Sequence, residues 1–509
     1  MNHEVVIVGA GPNGLLLAGE LRLAGVPVLL LERSPLPGGE PRANGLIGRV
    51  VQAMDLRGLY EPLAGRPGPP APTPWFQFGG LPLDLSAVAD NPLFALPVPQ
   101  ARIQQVLEER ARDLGAEIRR GHEVTGFGQD ADDMQVNVRT ADGDLRLRTR
   151  WLVGADGGHS LIRKQAGIPF PGSNDDRFVS HMGHAVIPAD RLDSDGALAL
   201  PDGRRLMPFA HNRLPGGVFT FARLGDTGEA YLVAVMEWAG RGREAAPVTF
   251  ADLQHAVDRV LDGALPLGRP TRPSPLLRRL EGVTIRQATR YRAGRVLLVG
   301  DAAHVHPAVG GPGLNLGLQD ALNLGWKLAA EIRGWAPPGL LDTYQTERAP
   351  IGRRVALQSR AQLALLAPGD EVTALRDLLA ELLRHDHTRR DVAALLAGAD
   401  QPYDMGQHDP HPATGAWLPD LLPALTEGRA AVRDRLRAAR PVVIELAPGA
   451  AEAAGGWRDR VDVVAARGGL DAKALLVRPD GHVAWAGGPA DGLAEALHRW
   501  FGTPSHVHR

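Results

Sequence analysis

Three glycines and one glutamate near the N-terminus have the types and the spacing that bind a nucleotide. Gly9, Gly11 and Gly14 stand in the stretch "GAGPNG", and Glu32 ends the next apolar run. Gly9 permits a tight turn, Gly11 lets the backbone approach a pyrophosphate, and Gly14 lets the following helix pack closely. The N–H groups and positive dipole end of that helix attract phosphate. Glu32 can accept hydrogen bonds from a ribose diol, so the pattern predicts a dinucleotide site.

Pro12 and Asn13 lie inside the same turn, and we expect them to contact the nucleotide with the glycines. Without a ligand, the same residues would form only a tight strand-to-helix turn. The carboxylate of Glu32 would repel a 2′-phosphate, which favours FAD or NAD over NADP. The stretch alone leaves open which of the two is bound.

The elements around these residues form one βαβ unit. The apolar run at 5–8 predicts a strand, the leucine pattern at 15–23 predicts a helix, and the apolar run at 28–31 predicts the neighbouring strand. Strand, glycine turn, helix and strand therefore follow one another as a dinucleotide fingerprint requires.

A second acidic residue, Asp301, follows the buried strand of "GRVLLVGDAAHVHPAVGGPGLN". Doubly wound sheets bind ligands at the carboxyl ends of their strands, so Asp301 can accept hydrogen bonds from a ribityl chain. Gly310, Gly311 and Gly313 leave room for a flat ring against the backbone. Residues 313–315 then open a helix whose N-terminus can stabilise negative charge on a reduced flavin. The alternative is an ordinary strand–loop–helix joint.

Composition excludes several classes of protein. The chain has 509 residues, 44% of them hydrophobic, and a formal charge of −2. We therefore expect a globular protein of about two to four domains without nucleic-acid or membrane partners. The chain contains no cysteine, which excludes disulfides, thiolate catalysis and iron–sulfur clusters. We find neither a signal peptide nor an apolar run of about 20 residues, so we expect a cytoplasmic protein.

The pattern of apolar runs and of Pro- and Gly-rich stretches predicts an α/β protein in several segments. Residues 1–170 begin a Rossmann-type nucleotide-binding domain, with a Pro- and Gly-rich excursion toward the substrate at 66–100. Short alternating runs predict a mostly antiparallel β-sheet domain at 171–279 for the substrate. Residues 280–396 complete the first domain with a strand and helices, and 397–509 form a small α/β domain.

Within the first segment, "SPLPGGEPRANGLIGR" predicts a loop, and a helix follows to about residue 63. Alternating runs around Asp142 and Gly143 predict a β-hairpin. The stretch "WLVGADG" predicts a buried strand that ends in a turn.

Three stretches, far apart in the chain, resemble one family. They are "GAGPNG" at Gly9, "VGADGGHSLIRKQAGI" at Val153 and "GRVLLVGDAAHVHPAVGGPGLNLGLQDALNLGWKLA" at Gly294. In this order they resemble the group A flavoprotein monooxygenases, the single-component FAD hydroxylases of the p-hydroxybenzoate hydroxylase fold, over residues 1–395. The segment "LLVRPDGHVAWAG" resembles the thioredoxin-like C-terminal domain of bacterial aromatic polyketide hydroxylases, here without a Cys-x-x-Cys pair.

The resemblance assigns further residues to FAD. It implies that Asp156 serves both FAD and the passing nicotinamide cofactor. The Asp-Gly pair could equally be a turn, with Ser160 or His159 as the helix cap. The resemblance also implies that Arg42 and Gln100 touch the phosphate or the ribose of FAD. We further expect contacts from Arg33 and Val124.

For the third stretch, the resemblance implies that Asp301 contacts the ribityl and phosphate region. Leu314 and Asn315 would contact the ring beside Gly313, and Pro307 would line its oxygen-reacting face. The family usually has Gln where Pro312 stands, which predicts a different ring contact there.

His304 and His306 are close enough in the chain to suggest a metal site. No third ligand lies nearby in the sequence, and metal sites need at least three protein ligands as a rule. We therefore expect structural roles for both histidines and no metal.

The resemblance implies a monooxygenase that uses FAD, O2 and either NADPH or NADH. A flavin C4a-hydroperoxide, which survives only where water is excluded, would hydroxylate an aromatic, polycyclic polyketide. The apolar stretches "WFQFGG", "MPFAH" and "GGVFTFARL" suit a large flat substrate. Only one dinucleotide fingerprint is present, so the nicotinamide cofactor would visit and leave.

Other activities stay open at this point. The same fold could perform Baeyer–Villiger oxygenation of a polyketide ketone, or inactivate an antibiotic by oxidation, and no catalytic base is identified. A halogenase would carry Trp-x-Trp-x-Ile-Pro, which this sequence lacks. A flavin dehydrogenase would pass electrons elsewhere, and a sequestering flavoprotein would bind a drug without turnover. We expect a monomer or homodimer.

Overall fold

The structure, a computed structural model, describes residues 3–37, 45–130, 133–223, 228–238, 248–271, 276–307 and 309–505. Arg42, one of the expected FAD contacts, lies outside the described residues. The described residues form an α/β protein with a parallel-strand core sheet, a second antiparallel sheet and a C-terminal sheet, which confirms the predicted class.

The strands of the first third of the chain are β1 (His3–Val8), β2 (Val28–Glu32), β3 (Gly45–Ile47), β4 (Trp75–Phe78), β5 (Leu81–Asp84), β6 (Ala95–Pro97), β7 (Glu117–Arg120), β8 (Glu123–Gln129), β9 (Met134–Thr140) and β10 (Gly143–Gly154). The helices are α1 (Pro12–Leu23), α2 (Arg49–Leu56), α3 (Tyr60–Ala64), α4 (Gln100–Asp113) and α5 (Leu161–Gln165).

The middle of the chain contains β11 (Gly172–Val186), β12 (Leu198–Ala199), β13 (Arg205–Leu206), β14 (Asn212–Leu214), β15 (Gly217–Ala222), β16 (Ala230–Trp238), α6 (Phe250–Leu261) and β17 (Leu277–Gln287). The chain then continues with β18 (Arg292–Ala293), β19 (Val296–Leu298), β20 (His304–Val305), α7 (Pro312–Arg333), α8 (Thr343–Leu366), α9 (Asp370–Leu382) and α10 (Asp386–Ala397).

The C-terminal part contains α11 (Leu418–Leu421), β21 (Leu425–Glu427), α12 (Arg429–Arg437), β22 (Val442–Glu445), α13 (Ala450–Ala453), β23 (Asp462–Ala465), β24 (Arg467–Gly468), β25 (Ala474–Val477), β26 (Val483–Gly487) and α14 (Leu493–Phe501).

The core sheet has the order β18-β19-β10-β1-β2-β7, and β9 pairs with β10 and with β8. The strands β19, β10, β1, β2 and β7 run parallel. The strands β1, β2 and β19 and the end of β10 are almost continuous apolar runs, as expected where helices cover both faces of a sheet, whereas the edge strand β7 carries charged residues. The predicted hairpin at residues 142–143 is confirmed, since Gly143 pairs with Thr140 at the start of the β9–β10 ladder.

Two local predictions are wrong. The stretch predicted as a loop contains β3, which pairs with β6, so a partner about 50 residues away decides its conformation. The helix predicted to run to about residue 63 breaks into α2 and α3. Gly58 between them has a φ of +69° and a backbone N–H that donates to Asp55 O, so it ends α2 as a left-handed glycine.

The second sheet has the order β14-β15-β16-β11-β17-β20. Its pairs are antiparallel, as the alternating sequence predicts. The helix α6 covers one face of it, with a capping box at Thr249 and Asp252. The edge strand β20 comes from the segment after Asp301, so the second sheet is hydrogen-bonded directly to the loop of the expected flavin site.

The C-terminal sheet has the order β23-β22-β25-β26, with β22 and β23 parallel and the other pairs antiparallel. Leu493, Leu497 and Phe501 of α14 are fully buried beneath it. Among the described residues, no helix combines the length and the apolar character that crossing a membrane requires.

Candidate active site

Four neighbouring parallel strands bring the expected nucleotide contacts to one edge of the core sheet. Gly9 follows β1, Glu32 ends β2, Asp156 follows β10, and Asp301 follows β19. Because the carboxyl ends of parallel strands share an edge, these residues from distant parts of the sequence converge. The edge is therefore the place in this fold where a doubly wound sheet binds its ligand.

The three glycines of the first loop meet different constraints. Gly9 has a φ of +109°, and a Cβ atom there would press on Ala155 O at the end of β10. A Cβ atom on Gly14 would overlap the carbonyl oxygen of Gly9. A Cβ atom on Gly11 would meet no atom of the described residues within 4 Å. The fold thus requires glycine at positions 9 and 14, whereas Gly11 leaves open space beside the N-terminus of α1.

The residues between these glycines face the protein interior. Pro12 is buried at the first position of α1, where a missing N–H costs nothing. The amide of Asn13 packs against Gly300 and Gly317, so it lies between the first loop, the turn before Asp301 and α7. Asn13 therefore joins the two loops of the site, and its contact with a nucleotide stays a prediction.

Glu32 shapes the first loop with both of its oxygens. Its Oε2 accepts a hydrogen bond from Ala10 N at 2.8 Å, and its Oε1 accepts one from Ser34 N at 2.9 Å. Arg33, the next residue, is exposed. Val124 of β8 is 7% exposed and packs in the main core, so its side chain faces away from solvent.

Asp156 has one satisfied and one unsatisfied oxygen. Its Oδ2 accepts a hydrogen bond from Ile162 N at 3.2 Å, whereas Oδ1 is buried and has no partner among the described residues. Ser160 is the N-cap of α5, and its Oγ accepts from Arg163 N at 2.9 Å. Arg163 donates to Ala302 O at 2.9 Å, which ties this loop to the loop after β19.

The open space at Gly11 and the unpaired Oδ1 of Asp156 fit a bound dinucleotide. A buried carboxylate oxygen without a partner is costly, and a hydroxyl of a ribose or ribityl chain would satisfy it. A glycine at position 11 leaves room for a ligand to approach the backbone there. The residues of the site therefore suit FAD.

The loop after β19 turns sharply before α7. Asp301 lies in a single 3₁₀ turn, and Pro307 is buried further along the loop. Gly310 and Gly311 have φ values of +77° and +67°. Pro312 occupies the first position of α7, where proline is preorganised for a helix. This position explains a proline where the family usually has glutamine.

Asn315, in the first turn of α7, bridges two distant segments. Its Oδ1 accepts from Ile47 N of β3 at 2.9 Å, and its Nδ2 donates to Gly311 O at 2.6 Å. Gly313 and Leu314 stand beside it in the same turn. Gln100 is the first residue of α4 and lies three residues after the end of β6, the partner of β3. The expected ring contacts and Gln100 thus belong to one connected substructure.

An apolar wall flanks this loop on the side of the second sheet. Phe178 and Trp238 pack edge to face with ring centroids 5.1 Å apart, in one cluster with Val218. Val309 of the loop and Leu366 of α8 complete the contacts of this cluster. The wall is an apolar surface that contacts the loop through Val309.

The aromatic residues of "GGVFTFARL" do not contribute to this wall. Phe219 and Phe221 lie on the opposite face of the sheet, buried against α6, because successive side chains of a strand alternate between faces. Phe209 of "MPFAH" is 50% exposed, and Phe78 of "WFQFGG" packs in a separate cluster with Leu83. Phe219 and Phe221 therefore do not face the flavin loop, and the contact of the other aromatics with a substrate stays a prediction.

A groove that is open to solvent flanks the same loop on its other side. Apolar side chains of α7, α8 and α10 line it, and an ion pair at 2.7 Å between Arg354 and Asp400 stands at its rim. Gln358 of α8 is almost fully buried in it, with an Oε1 that has no partner among the described residues. Apolar lining with a few polar groups is typical of pockets for small molecules.

The two histidines of the loop contact a buried carboxylate and each other. His304 Nε2 lies 2.6 Å from Asp320 Oδ2, and the ring of His306 stacks on His304 with centroids 5.1 Å apart. Burial lowers the pKa of His306 to about 3. The described residues contain no group of three or more His, Asp or Glu side chains that could hold a metal ion.

Sequence reasoning missed a buried charged cluster behind the site. Burial acts to raise the pKa of Asp320, but His304 and Arg348 hold it below its usual value. Arg348 Nε donates to Asp320 Oδ1 at 2.7 Å. The available signal was the spacing of Asp320, Asn323 and Lys327, three polar residues on one face of an otherwise apolar helix.

Comparison with protein families finds two matches along this chain. The FAD binding domain family matches residues 2–359, and the family of aromatic-ring hydroxylase C-terminal domains matches residues 411–504.

Individual proteins match over nearly the whole chain. The 12-dehydrotetracycline 5-monooxygenase/anhydrotetracycline 6-monooxygenase of Streptomyces rimosus is 42% identical, over 99% of this chain and 100% of that protein. The rifampicin monooxygenase of Streptomyces venezuelae is 39% identical over 98% of both chains. The crystal structure of an aromatic hydroxylase from angucycline biosynthesis superposes with a TM-score of 0.84 at 38% identity, over 99% of this chain and 100% of that chain.

Proposed function

This chain belongs to the family of FAD-dependent aromatic-ring hydroxylases, and from that premise we propose that it uses NADPH or NADH and O2 to hydroxylate a polycyclic aromatic polyketide. It is a flavin-dependent monooxygenase of the p-hydroxybenzoate hydroxylase fold with a thioredoxin-like C-terminal domain. The nicotinamide cofactor and the polycyclic substrate are the proposed parts.

The observation that carries the proposal is the convergence of two loops and two acidic residues at one edge of the core sheet, beside an apolar wall. The residues that would hold FAD are Gly9, Gly11, Pro12, Asn13, Gly14, Glu32, Arg33, Arg42, Gln100, Val124, Asp156, Asp301, Pro307, Gly313, Leu314 and Asn315.

The N-terminus of α1 would receive the pyrophosphate, since it begins beside the open space at Gly11 and a helix N-terminus attracts phosphate. Glu32 and Asp156 would accept hydrogen bonds from sugar hydroxyls. The N-terminus of α7, which begins at Pro312, would stabilise negative charge on the pyrimidine edge of the ring. When bound, FAD supplies hydride acceptance and activation of O2.

The protein itself supplies a dry, oriented site. Phe178, Trp238 and Val218 form an apolar wall against the loop at Val309, which excludes water from the reacting region. His306 stays neutral at physiological pH because burial lowers its pKa, so it adds no positive charge beside the ring.

The substrate class comes from the relatives and from the walls of the site. Two relatives are named for tetracycline and rifampicin compounds, and a third acts in angucycline biosynthesis. A polycyclic aromatic body suits the apolar wall and the apolar groove on the two sides of the loop.

A second candidate function is oxidative inactivation of an antibiotic. The observation in its favour is 39% identity over 98% of the chain with a rifampicin monooxygenase. Baeyer–Villiger oxygenation of a polyketide ketone by the same site is the third. We also propose a cytoplasmic monomer or homodimer.

The test is oxygen transfer by the purified, FAD-loaded protein. We expect a yellow protein that oxidises NADPH or NADH faster when a polycyclic polyketide is added. Under ¹⁸O2 the product should gain one labelled oxygen atom. The position of the label distinguishes ring hydroxylation from insertion beside a ketone, and rifampicin in the panel tests the second candidate.

Free FAD with NADPH and the same substrates is the control, because free flavin also consumes O2 without transferring oxygen to substrate. A colourless protein that does not take up added FAD contradicts the proposal. Substrate-stimulated NADPH oxidation without labelled product contradicts the monooxygenase assignment and favours a reductase.

A further inference from the structure

A chain of hydrogen bonds between buried side chains connects the C-terminal part of the protein to the loop after β19. Arg348 Nη1 donates to Tyr403 OH at 2.8 Å, and Arg348 Nε donates to Asp320 Oδ1 at 2.7 Å. Asp320 Oδ2 lies 2.6 Å from His304 Nε2. His304, Asp320 and Arg348 are each 1% exposed or less. We call these three residues and Tyr403 the relay.

The relay holds both ends of the segment that carries the expected ring contacts. His304 lies at the start of the stretch that leads to Gly313, and Asp320 Oδ2 also accepts from Gly300 N at 3.3 Å. At the other end, Arg348 Nη2 donates to Leu316 O at 3.1 Å, one residue after Asn315.

The far end of the relay belongs to the C-terminal part. Tyr403 follows α10, and its ring packs on His482 with centroids 4.3 Å apart. The guanidinium of Arg478, which precedes β26, lies 5.5 Å from the centre of the same ring. Arg478 also binds Glu347, the neighbour of Arg348 in α8, through hydrogen bonds of 2.7 and 2.8 Å.

The loop needs such anchors because its own sequence does not define one conformation. Gly310 and Gly311 both have positive φ values, and glycine can adopt many other backbone conformations at similar cost. A buried carboxylate bound by two partners tolerates little displacement of either, since each lost hydrogen bond leaves a charge unpaired. The relay therefore restricts the loop to the conformation seen here.

We propose that Tyr403, Arg348 and Asp320 are positioning residues through which the C-terminal part of the protein fixes the loop residues 304–307 and 309–313 in their FAD-binding conformation. The consequence for FAD rests on the proposed function, whereas the effect on the loop does not. The thioredoxin-like part thus acts on the flavin site from a distance, without cysteine chemistry.

The first test uses the FAD-free protein and hydrogen exchange. Tyr403→Phe removes one hydroxyl and keeps the ring on His482, and His304→Asn breaks the opposite end of the relay. Tyr60→Phe is the matched control, since Tyr60 is 4% exposed and lies in α3, outside the relay. We expect backbone amides of residues 304–316 to exchange about tenfold faster in both relay variants and unchanged in the control.

The second test is titration of the FAD-free variants with FAD, followed by flavin fluorescence and visible circular dichroism. We expect Tyr403→Phe and His304→Asn to weaken FAD binding about tenfold, the loss of one hydrogen bond to a charged group. We also expect more hydrogen peroxide per NADPH oxidised. A merely structural tyrosine would lower the melting temperature and leave the FAD affinity and the dichroism of bound flavin unchanged.

The two tests separate the possible failures. Unchanged exchange at 304–316 in both relay variants overturns the relay, whatever FAD does. Faster exchange with a wild-type protein that binds no FAD overturns the proposed function and leaves the relay standing. An effect of His304→Asn without one of Tyr403→Phe restricts the coupling to the loop and overturns the role of the C-terminal part.

Discussion

Replacing Arg478 by methionine should destabilise the protein strongly, although this arginine is distant from the site. Its side chain is fully buried and binds Glu347 at 2.7 and 2.8 Å and Asp480 at 3.0 and 2.5 Å. Without it, Glu347 keeps Lys327 at 2.8 Å. Among the described residues, Asp480 then keeps His482 as its one ion-pair partner, at 3.6 Å, and a hydrogen bond from Asn323 at 3.3 Å. Removing one partner of a buried ion pair costs about 3–5 kcal/mol, and we expect about 4 kcal/mol here.

The assay is urea denaturation of the FAD-free protein followed by tryptophan fluorescence, which gives the free energy of unfolding. Arg440→Met is the matched control, because Arg440 pairs with the partly exposed Asp462 and should cost less than about 1 kcal/mol. The double variant Arg478→Met/Asp480→Asn should recover part of the loss, since it removes the charge that the single variant leaves unpaired.

The pH dependence gives an independent check of the same reasoning. Burial acts to raise the pKa of Glu347 and of Asp480, but Arg478 holds both below their usual values. The wild type therefore loses stability as the pH falls below the usual carboxyl pKa. In Arg478→Met, burial raises the pKa of Asp480, whereas Lys327 still acts on Glu347, so the variant gains stability from pH 7 to pH 5 through Asp480. Two results would refute the argument. One is a free energy of unfolding of Arg478→Met within about 1 kcal/mol of that of Arg440→Met. The other is a difference in free energy of unfolding between wild type and Arg478→Met that does not narrow at pH 5.

Three further predictions concern the site and its surroundings. Gly11→Ala should change the melting temperature little and weaken FAD binding at least about tenfold, whereas Gly14→Ala should destabilise the fold; equal effects on stability would contradict this. Val218→Ala should raise the KM for a polycyclic substrate several-fold, while Phe221→Leu should cost about 1–2 kcal/mol of stability and leave the KM unchanged. Because the folded state lowers the pKa of His306 to about 3, stability should fall by about 1–2 kcal/mol from pH 7 to pH 5, and His306→Asn should remove that part of the slope in urea denaturation.

Much of the nucleotide edge was predictable from the sequence because its signals are local. The fingerprint around Gly9 needs only a strand, a turn and a helix that are contiguous in the chain, and parallel strands then place Glu32, Asp156 and Asp301 at the same edge. The fold class follows from the same periodicities, and the family from the three motifs. Individual contacts of these residues with FAD remain predictions.

The sequence stretches that suggested a substrate cavity did not predict which face of the second sheet each aromatic side chain occupies. The alternation of "GGVFTFARL" shows that two faces exist, but only the packing of α6 decides that Phe219 and Phe221 face away from the flavin loop. Similarly, β3 forms because β6 lies beside it, and Ile47 N finds Asn315 in a part of the chain 268 residues away.

The sequence by itself determined which chemistry this protein could host. Glycine spacing and strand ends depend on neighbours in the chain, and the absence of cysteine is a property of the composition. Only the tertiary structure decided how the loop at His304 is held. An arginine such as Arg348 could pair with any of the carboxylates in the chain, and nothing local selects Asp320 and Tyr403 as its partners. The fold buries these three side chains next to each other, and a buried charged group is stable only when it is paired.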